Sequence, residues 1–548
     1  MNDVLLKGGT VIDGEKRTEF RADVLVRDGV IAEIGENIAA DGAETVNCDG
    51  LYLTAGFIDA HVHVESGMVL PEAFGEAVLP HGTTAAVTDP HEIVNVAGAE
   101  GLRRYLDEAE LSPADIFVCI PSSVPATPLD TNGAGKFTAQ DMKPFLSDER
   151  VVGLGEVMCY FDVAAGNPEI MDKIALFADK TVDGHTAGMP DELLDAYVAA
   201  GVSNDHECSD RSAMFKRYEK GMNIYVREGS AARNADELFA GIKERSLDVS
   251  SFAFCTDDKH LATIEREGHI SFIFAKALAA GFTRGEAAAM ASYNPCRFYK
   301  LKNRGNMRCG YIADIVAANS DFTKIVYVLK DGVVVAKDAK LCVERAKRTD
   351  KQANFENSVK MRELKADDFA LPERLENVAL ELVDGQLLTL VKEVKPEERS
   401  GLNLLATAER HGKNGNLSVC LLANYGIKDG AVATSVSHDS HNVVCAGDNA
   451  ADMALACNRL RETGGGYVIA SRGRIAGELP MPAYGLMSVK CAAETSAEIA
   501  RLEEIAHSMG VNSAVDAFTT LSFVALPVIP FLRLLDTGLY DTEKGEFL

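Results

Sequence analysis

The sequence predicts an α/β protein: a (β/α)8 barrel, a β-sandwich domain split between the two sides of that barrel, and an additional C-terminal α/β domain. Three observations predict it. Between about residues 55 and 300, a short apolar run followed by a helical segment recurs eight times. Two β-rich stretches flank that block, and strand–helix alternation resumes after a charged interval.

The eight runs are AGFIDA (55–60), TTAAVTD (83–89), DIFVCI (115–120), VVGLGE (151–156), KTVDGH (180–185), GVSNDH (201–206), MNIYVR (222–227) and SFAFCTD (251–257). Helix-like segments such as PEAFGEAVLPHG, DELLDAYVAAG and SFIFAKALAAGF lie between them. Eight such units within 55–304 have the size and order of a TIM barrel. The sixth run is barely apolar. Residues 3–54 alternate in the strand manner between glycine turns, and the same texture returns in YIADIVAANS and KIVYVLKDGVVVAKD. These stretches predict one composite domain, 1–54 plus 305–345. The charged segment VERAKRTDKQANFENSVKMRELKADDF reads as a solvated helix or a linker, placed at 346–369. Residues 370–548 then form the last domain. Its glycine triplet at 464–466 has no G-K-[ST] after it and reads as a turn rather than a phosphate cradle.

Composition narrows the function. The chain is 47% hydrophobic and 25% charged, as soluble globular proteins are. No apolar run approaches the roughly 18 residues of a membrane span, and the opening MNDVLLKGGTVIDGEKR lacks the pattern of a secretory leader, so a cytoplasmic address is expected. With 55 basic against 82 acidic residues the net charge is −27, which repels nucleic acid but leaves a free base open as a ligand. Of twelve cysteines the nearest pair, Cys445 and Cys457, is twelve apart. No C-x-x-C exists, so any metal here is held by nitrogen and oxygen. A homodimer is expected.

The chemistry of a barrel sits at the carboxyl ends of its strands. Those ends carry His61 and His63, Glu156, His185, His206, and Asp257 with Asp258. Side chains two apart on a strand share a face, so His61 and His63 point the same way. Four imidazoles with carboxylates suit Mn²⁺, Fe²⁺ or Zn²⁺ and are too nitrogen-rich for Ca²⁺ or Mg²⁺. Six donors exceed what one open catalytic ion takes. Glu156 can bridge two, with His61 and His63 on one and His185 and His206 on the other, and two ions sharing a hydroxide make a nucleophile at neutral pH.

The strand-end H-x-H, two further histidines and a last-strand aspartate, inside a barrel flanked by a split β-domain, resemble the amidohydrolase superfamily. The strings GFIDAHVHVESGM, GTTAAVTDPHEIVNVAG, GLGEVM, DGHTAG, NDHE, GMNIYVREGSAARN and CTDD are similar to the adenine deaminase family within it. So are ERHGKNGN, SVSHDSHNVVCAGDN, NRLRETGGGYVIA, PAYGLMS and TLSFVALPVIPFLRL near the carboxyl end. The resemblance implies hydrolytic deamination of adenine to hypoxanthine and ammonia at a two-metal manganese or iron site. It makes His61, His63, Glu156, His185, His206 and Asp257 ligands, with Asp257 also the proton shuttle and Asp258 the alternative for that role. Another reaction on the same two metals, deamination of an N6-substituted purine or hydrolysis of a cyclic amide, shares every ligand. A non-catalytic scaffold would have lost ligands, and none is lost here.

The remaining candidates lie around the same mouth. Glu65 completes an H-x-E, but the P-C-x-x-C partner motif of cytidine-type zinc deaminases fails at Tyr299. Glu65 is instead expected to hydrogen-bond a purine nitrogen or assist protonation. His91 and Glu92 follow the second strand, and Arg227 with Glu228 ends the seventh; all four are candidate substrate contacts, with helix capping or an Arg–carboxylate pair as the structural alternatives. Ser122 and Ser123, in the proline-rich PSSVPATPLD, are weaker candidates. His438 and His441 would close the pocket if the last domain leans over the barrel. His81, His269, His411 and His507 are expected to be structural or exposed.

Overall fold

The computed structural model describes residues 3–343 and 354–548. Eight parallel strands occupy the central block: Phe57–Val62, Thr83–Thr88, Asp115–Ile120, Val151–Val157, Thr181–Gly184, Asn204–Asp205, Asn223–Arg227 and Phe252–Cys255. Each overlaps its expected window. The first five are hydrogen-bonded as one sheet and the last three as another. The first and second strands are buried on both faces, as a parallel sheet covered by helices requires.

Two seams join the sheets. Val62 and Asp257 form a parallel bridge, with Asp257 N–H donating to His61 O and His63 N–H to Asp257 O, each at 3.0 Å. At the other seam Ser203 N–H donates to Val182 O at 3.0 Å. The sixth strand is short because GVSNDH offers little apolar surface, and side chains replace part of its ladder. Asn204 Oδ1 accepts from Gly184 N–H at 3.1 Å while its Nδ2 donates to the Tyr225 hydroxyl at 3.0 Å. Only glycine fits at 184, where a Cβ would sit 2.2 Å from Asn204 O. This irregular closure lies directly beneath His185 and His206.

The flanking stretches make one nine-stranded sheet. Tyr52–Ala55 pairs antiparallel with Ile315–Ala318, so the chain enters and leaves the barrel along neighbouring strands. The expected sandwich is corrected in one respect: its layers are not separate sheets. Strand Val4–Asp13 shifts register between Leu6 and Gly9, pairing Glu44–Asn47 through its first half and Tyr52–Ala55 through its second. A bulge of this kind bends a strand, so one strand serves both layers around a core of Leu6, Val24, Leu53 and Ile315.

Near the carboxyl end an eight-stranded sheet runs in the order Thr389–Glu393, Val378–Leu382, Leu417–Ala423, Asn403–Ala408, Val443–Gly447, Gly430–Thr434, Gly466–Ser471, Arg474–Pro480. Helices Ala450–Thr463 and Ala492–Ser508 pack on it. The glycine triplet is the turn between the first of these helices and Gly466–Ser471. Gly464, Gly465 and Gly466 all have positive φ, and a Cβ on Gly465 would lie 2.5 Å from Ser435 Oγ, which leaves no room for a phosphate.

The expected linker needs correction. Residues 346–353 lie outside the described residues, but Val359, Met361, Leu364 and Phe369 are buried against the sheet and Ala450–Thr463. The four apolar side chains are irregularly spaced, so no helical period advertised them. Among the described residues, no helix is long and apolar enough to cross a membrane.

Candidate metal centre and substrate pocket

His61 and His63 leave the first strand on one face, their Nε2 atoms 3.2 Å apart. Each ring is aimed by its other nitrogen. His61 Nδ1 meets Asp183 Oδ2 at 2.8 Å, and His63 Nδ1 meets the carbonyl oxygen of Asp89 at 2.9 Å. A ring whose Nδ1–H is donated in this way presents a bare Nε2 lone pair, the arrangement that metal-ligating histidines adopt. Burial opposes the charged form of His61 and the Asp183 charge favours it, raising its pKa to about 10, so a cation would have to displace the second proton from Nε2 to gain that lone pair.

Glu156, at the end of the fourth strand, stands in the middle. Its Oε1 is 3.2 Å from His63 Nε2 and 3.3 Å from His91 Nδ1; its Oε2 is 2.7 Å from His185 Nδ1 and 3.4 Å from His206 Nε2. Burial alone would raise this carboxyl, yet the surrounding imidazoles hold it well below the usual carboxylate range. His206 is fully buried, stacks on His61 with ring centroids 3.9 Å apart, and has no hydrogen-bond partner on either nitrogen among the described residues. An orphaned imidazole in a dry interior is costly unless something else uses its lone pair. A divalent cation fits both that vacancy of partners and the set of donors. Among the described residues, the groups of ligand atoms that converge here include His61, His63, Glu156; His61, His206, Asp257; and Glu156, His185, His206.

Of the two last-strand aspartates, Asp257 faces the cluster. Its Oδ1 lies 3.2 Å from His63 Nε2, while its Oδ2 accepts from Arg227 Nη1 at 2.8 Å. Asp258 also lines the pocket but accepts from Ser66 Oγ. Arg227 is shared between Asp257 and Glu207. Glu65 is buried, has no hydrogen-bond partner on either carboxylate oxygen among the described residues, and faces the pocket; burial pushes its pKa up to about 7.

Glu228 is not a pocket residue. It follows Arg227 on the strand, and successive side chains point to opposite faces, so Glu228 is turned toward the outer helices. There it accepts from Lys276 Nζ at 2.9 Å and from the Ala235 N–H at 3.3 Å, at the start of helix Ala235–Arg245. Ser122 and Ser123 are likewise structural: both hydroxyls donate to the carbonyl of Glu156, at 2.6 and 3.3 Å.

Three neighbours of the site escaped the sequence reading. Asp183 stands two residues before His185 on the fifth strand, and the same period of two that paired His61 with His63 could have found it. Asp89 receives the Glu156 N–H on Oδ2 at 2.9 Å. Glu207, directly after His206, lies 3.5 Å from that ring.

His91 and Glu92 open helix His91–Ala109, behind the second strand. His91 stands between two carboxylates, 3.3 Å from Glu156 and 3.4 Å from Glu92. Glu92 in turn is gripped from the carboxyl-terminal part of the chain, by His438 Nδ1 on one oxygen and His441 Nε2 on the other. His269 is buried and bonded to Thr83 Oγ1 at 2.9 Å, and His411 to Ser440 O at 2.7 Å, as structural histidines are. The pocket above the cluster has a volume of about 600 Å³. Its floor is the polar set just described, and its far wall is apolar, formed by Phe523, Leu526, Val528 and Ile529.

Comparison with known proteins decides the family. Residues 52–337 match the model of the amidohydrolase family, and residues 382–546 match that of the adenine deaminase C-terminal domain. Adenine deaminase from Desulfitobacterium hafniense is 38% identical over 100% of this chain and 96% of its own length. The chain belongs to the adenine deaminase family. Adenine deaminases from Lysinibacillus sphaericus, at 38% identity, and Bacillus velezensis, at 35%, align over the same shares. Family membership thus extends past the barrel to the domain that supplies His438 and His441.

Proposed function

We infer that this chain hydrolyses adenine to hypoxanthine and ammonia. The observation that carries the reading is Glu156, which turns one oxygen to His63 and the other to His185 and His206, in a chain similar to adenine deaminases from end to end. His61, His63, Glu156, His185, His206 and Asp257 would hold two divalent ions, Mn²⁺ or Fe²⁺, with Zn²⁺ also suited to these donors. Bound there, such ions supply a nucleophile from water at neutral pH.

The side chains do the rest. Asp257, fixed by Arg227, takes the proton of the attacking water and returns it to the departing amine. Glu65, with no partner among the described residues, directs its hydrogen-bonding capacity to a ring nitrogen of the base. The apolar wall covers the purine faces and keeps bulk water out, which strengthens each polar contact.

In this reading the eight strands work as one closed (β/α)8 barrel over 55–304, beside a composite β-unit (1–54 with 305–345) and a carboxyl-terminal unit (370–548). The substrate is a free purine base rather than nucleic acid, and the enzyme is a cytoplasmic homodimer. The cavity exceeds the size of a bare purine, which favours N6-substituted purines as the second reading; comparing ammonia or amine release from adenine, N6-methyladenine and a hydantoin separates the two.

The test is a coupled assay with the Mn²⁺-loaded protein, measuring hypoxanthine and ammonia together. Glu156→Gln is expected to lose bound metal and turnover in parallel; full turnover in that variant would refute the bridge.

A further inference from the structure

Glu92, His438 and His441 bring three ligand atoms together at the edge of the pocket and resemble a third metal site. Hydrogen bonding argues against that. The backbone N–H of Ser437 donates to His441 Nδ1 at 3.1 Å, so Nδ1 is an acceptor and the ring proton sits on Nε2, the atom that meets Glu92. This is the opposite of His61 and His63, whose Nδ1 atoms are the ones spent on protein acceptors. A ring with its proton directed at Glu92 is a donor to that carboxylate and offers no lone pair to an ion.

The same carboxylate therefore acts as an anchor. His441 donates to one oxygen, and His438 Nδ1 donates to the other. With Nδ1 committed, the free nitrogen of His438 is Nε2, which has no hydrogen-bond partner among the described residues, although the ring lines the pocket. Phe523 stacks on the ring, with centroids 4.4 Å apart and planes 22° from parallel, and so fixes its orientation. Burial opposes a charge on the ring, but the facing carboxylates of Glu92, which also accepts from Nδ1, Asp258 and Asp439 outweigh it and favour the doubly protonated form, and with it a donor at Nε2.

We propose that His438 is a specificity-determining residue: it donates Nε2–H to an acceptor nitrogen of the purine other than the one served by Glu65, while Glu92 and His441 are positioning residues that hold it. The substrate site is thus shared between the barrel and the carboxyl-terminal unit. This deepens, and rests on, the reading of the chain as an adenine deaminase.

Deaza-purines, in which a ring nitrogen becomes C–H, supply the test. Steady-state kinetics would be run on adenine, 3-deazaadenine and 7-deazaadenine with the metal-loaded full chain and with His438→Gln, His438→Ala and Glu92→Gln. His438→Ala is expected to raise KM for adenine by about ten-fold or more while the metal content stays at the wild-type value. One of the two analogues is expected to lose a similar factor with the wild type and nothing further with His438→Ala, because the contact is already gone. Glu92→Gln should follow His438→Ala. Penalties from analogue and variant that multiply for both analogues would overturn the contact. Loss of an additional metal ion per chain in His438→Ala or His438→Gln would overturn it in favour of a metal site. If the wild type does not deaminate adenine at all, the functional reading fails first; if it does and His438→Ala is silent, only this proposal fails.

Discussion

Asp183→Asn changes one atom and tests the geometry of the whole centre. Both carboxylate oxygens of Asp183 are acceptors: Oδ2 takes the His61 Nδ1–H at 2.8 Å, and Oδ1 takes the Gly184 N–H at 3.0 Å. An amide has one acceptor and one donor end. If its oxygen stays with Gly184, the NH₂ group faces His61 Nδ1 and drives the ring proton to Nε2, the atom that points at Glu156 and Asp257. If the amide flips, two N–H groups confront each other in a fully buried site, at a cost of about 1–3 kcal/mol for the unsatisfied donor. Either outcome removes roughly 1.4–2.7 kcal/mol from metal binding, which is about 10–100-fold in affinity. Competition between the protein and a coloured chelator for Mn²⁺ measures it directly, and thermal unfolding of the metal-free variant separates folding from ligation. Wild-type affinity in Asp183→Asn, alongside clear loss in His61→Asn, would refute the assignment of His61 Nε2 as the inward-facing donor.

Glu228→Gln should lower Tm, because it weakens the contacts with Lys276 and Arg233, and leave KM for adenine unchanged; a raised KM would return Glu228 to the pocket. Gly465→Ala should cost about 2–4 kcal/mol, since φ is +105° and the new Cβ would lie 2.4 Å from Gly485 Cα; calorimetry showing an unchanged Tm would contradict the packed turn. Glu503 is pushed up to about 8 by burial and by neighbouring Asp516. The folded state therefore binds a proton that the unfolded chain releases near its ordinary value, and this contribution to stability is lost as pH rises from about 4.5 to about 8. Glu503→Gln should flatten that decline in a Tm-versus-pH series, and an identical slope in both proteins would discount the pair.

The parts of the fold and site that could be read from the sequence share one property: their signal is local. His61 and His63 differ by two positions on one strand, and each strand end is marked by its own apolar run, so the mouth of the barrel could be assembled without coordinates. The sixth strand shows where that reading thins. Asn204 and Ser203 hold the seam through a side-chain oxygen and a backbone bond, and neither leaves an apolar period. Asp183 is legible by the rule that pairs the first two histidines, since it stands two residues before His185. The same rule turns Glu228 away from the pocket, since it alternates with Arg227. The grip of His438 and His441 on Glu92 had no local signal, because it joins positions more than three hundred residues apart. The continuity of the nine-stranded sheet depended on a bulge that the Gly8–Gly9 pair only hints at.

The pairing of Tyr52–Ala55 with Ile315–Ala318 has a mechanical consequence. The barrel segment starts and finishes in adjacent strands of a second body, much as a purse is drawn shut by a string. A cut in one of its outer loops would leave two pieces that each end in the shared sheet, and they would remain docked. Protease-nicked protein should therefore migrate as one species until denatured, and split intein or circularly permuted versions opened at such loops should still assemble.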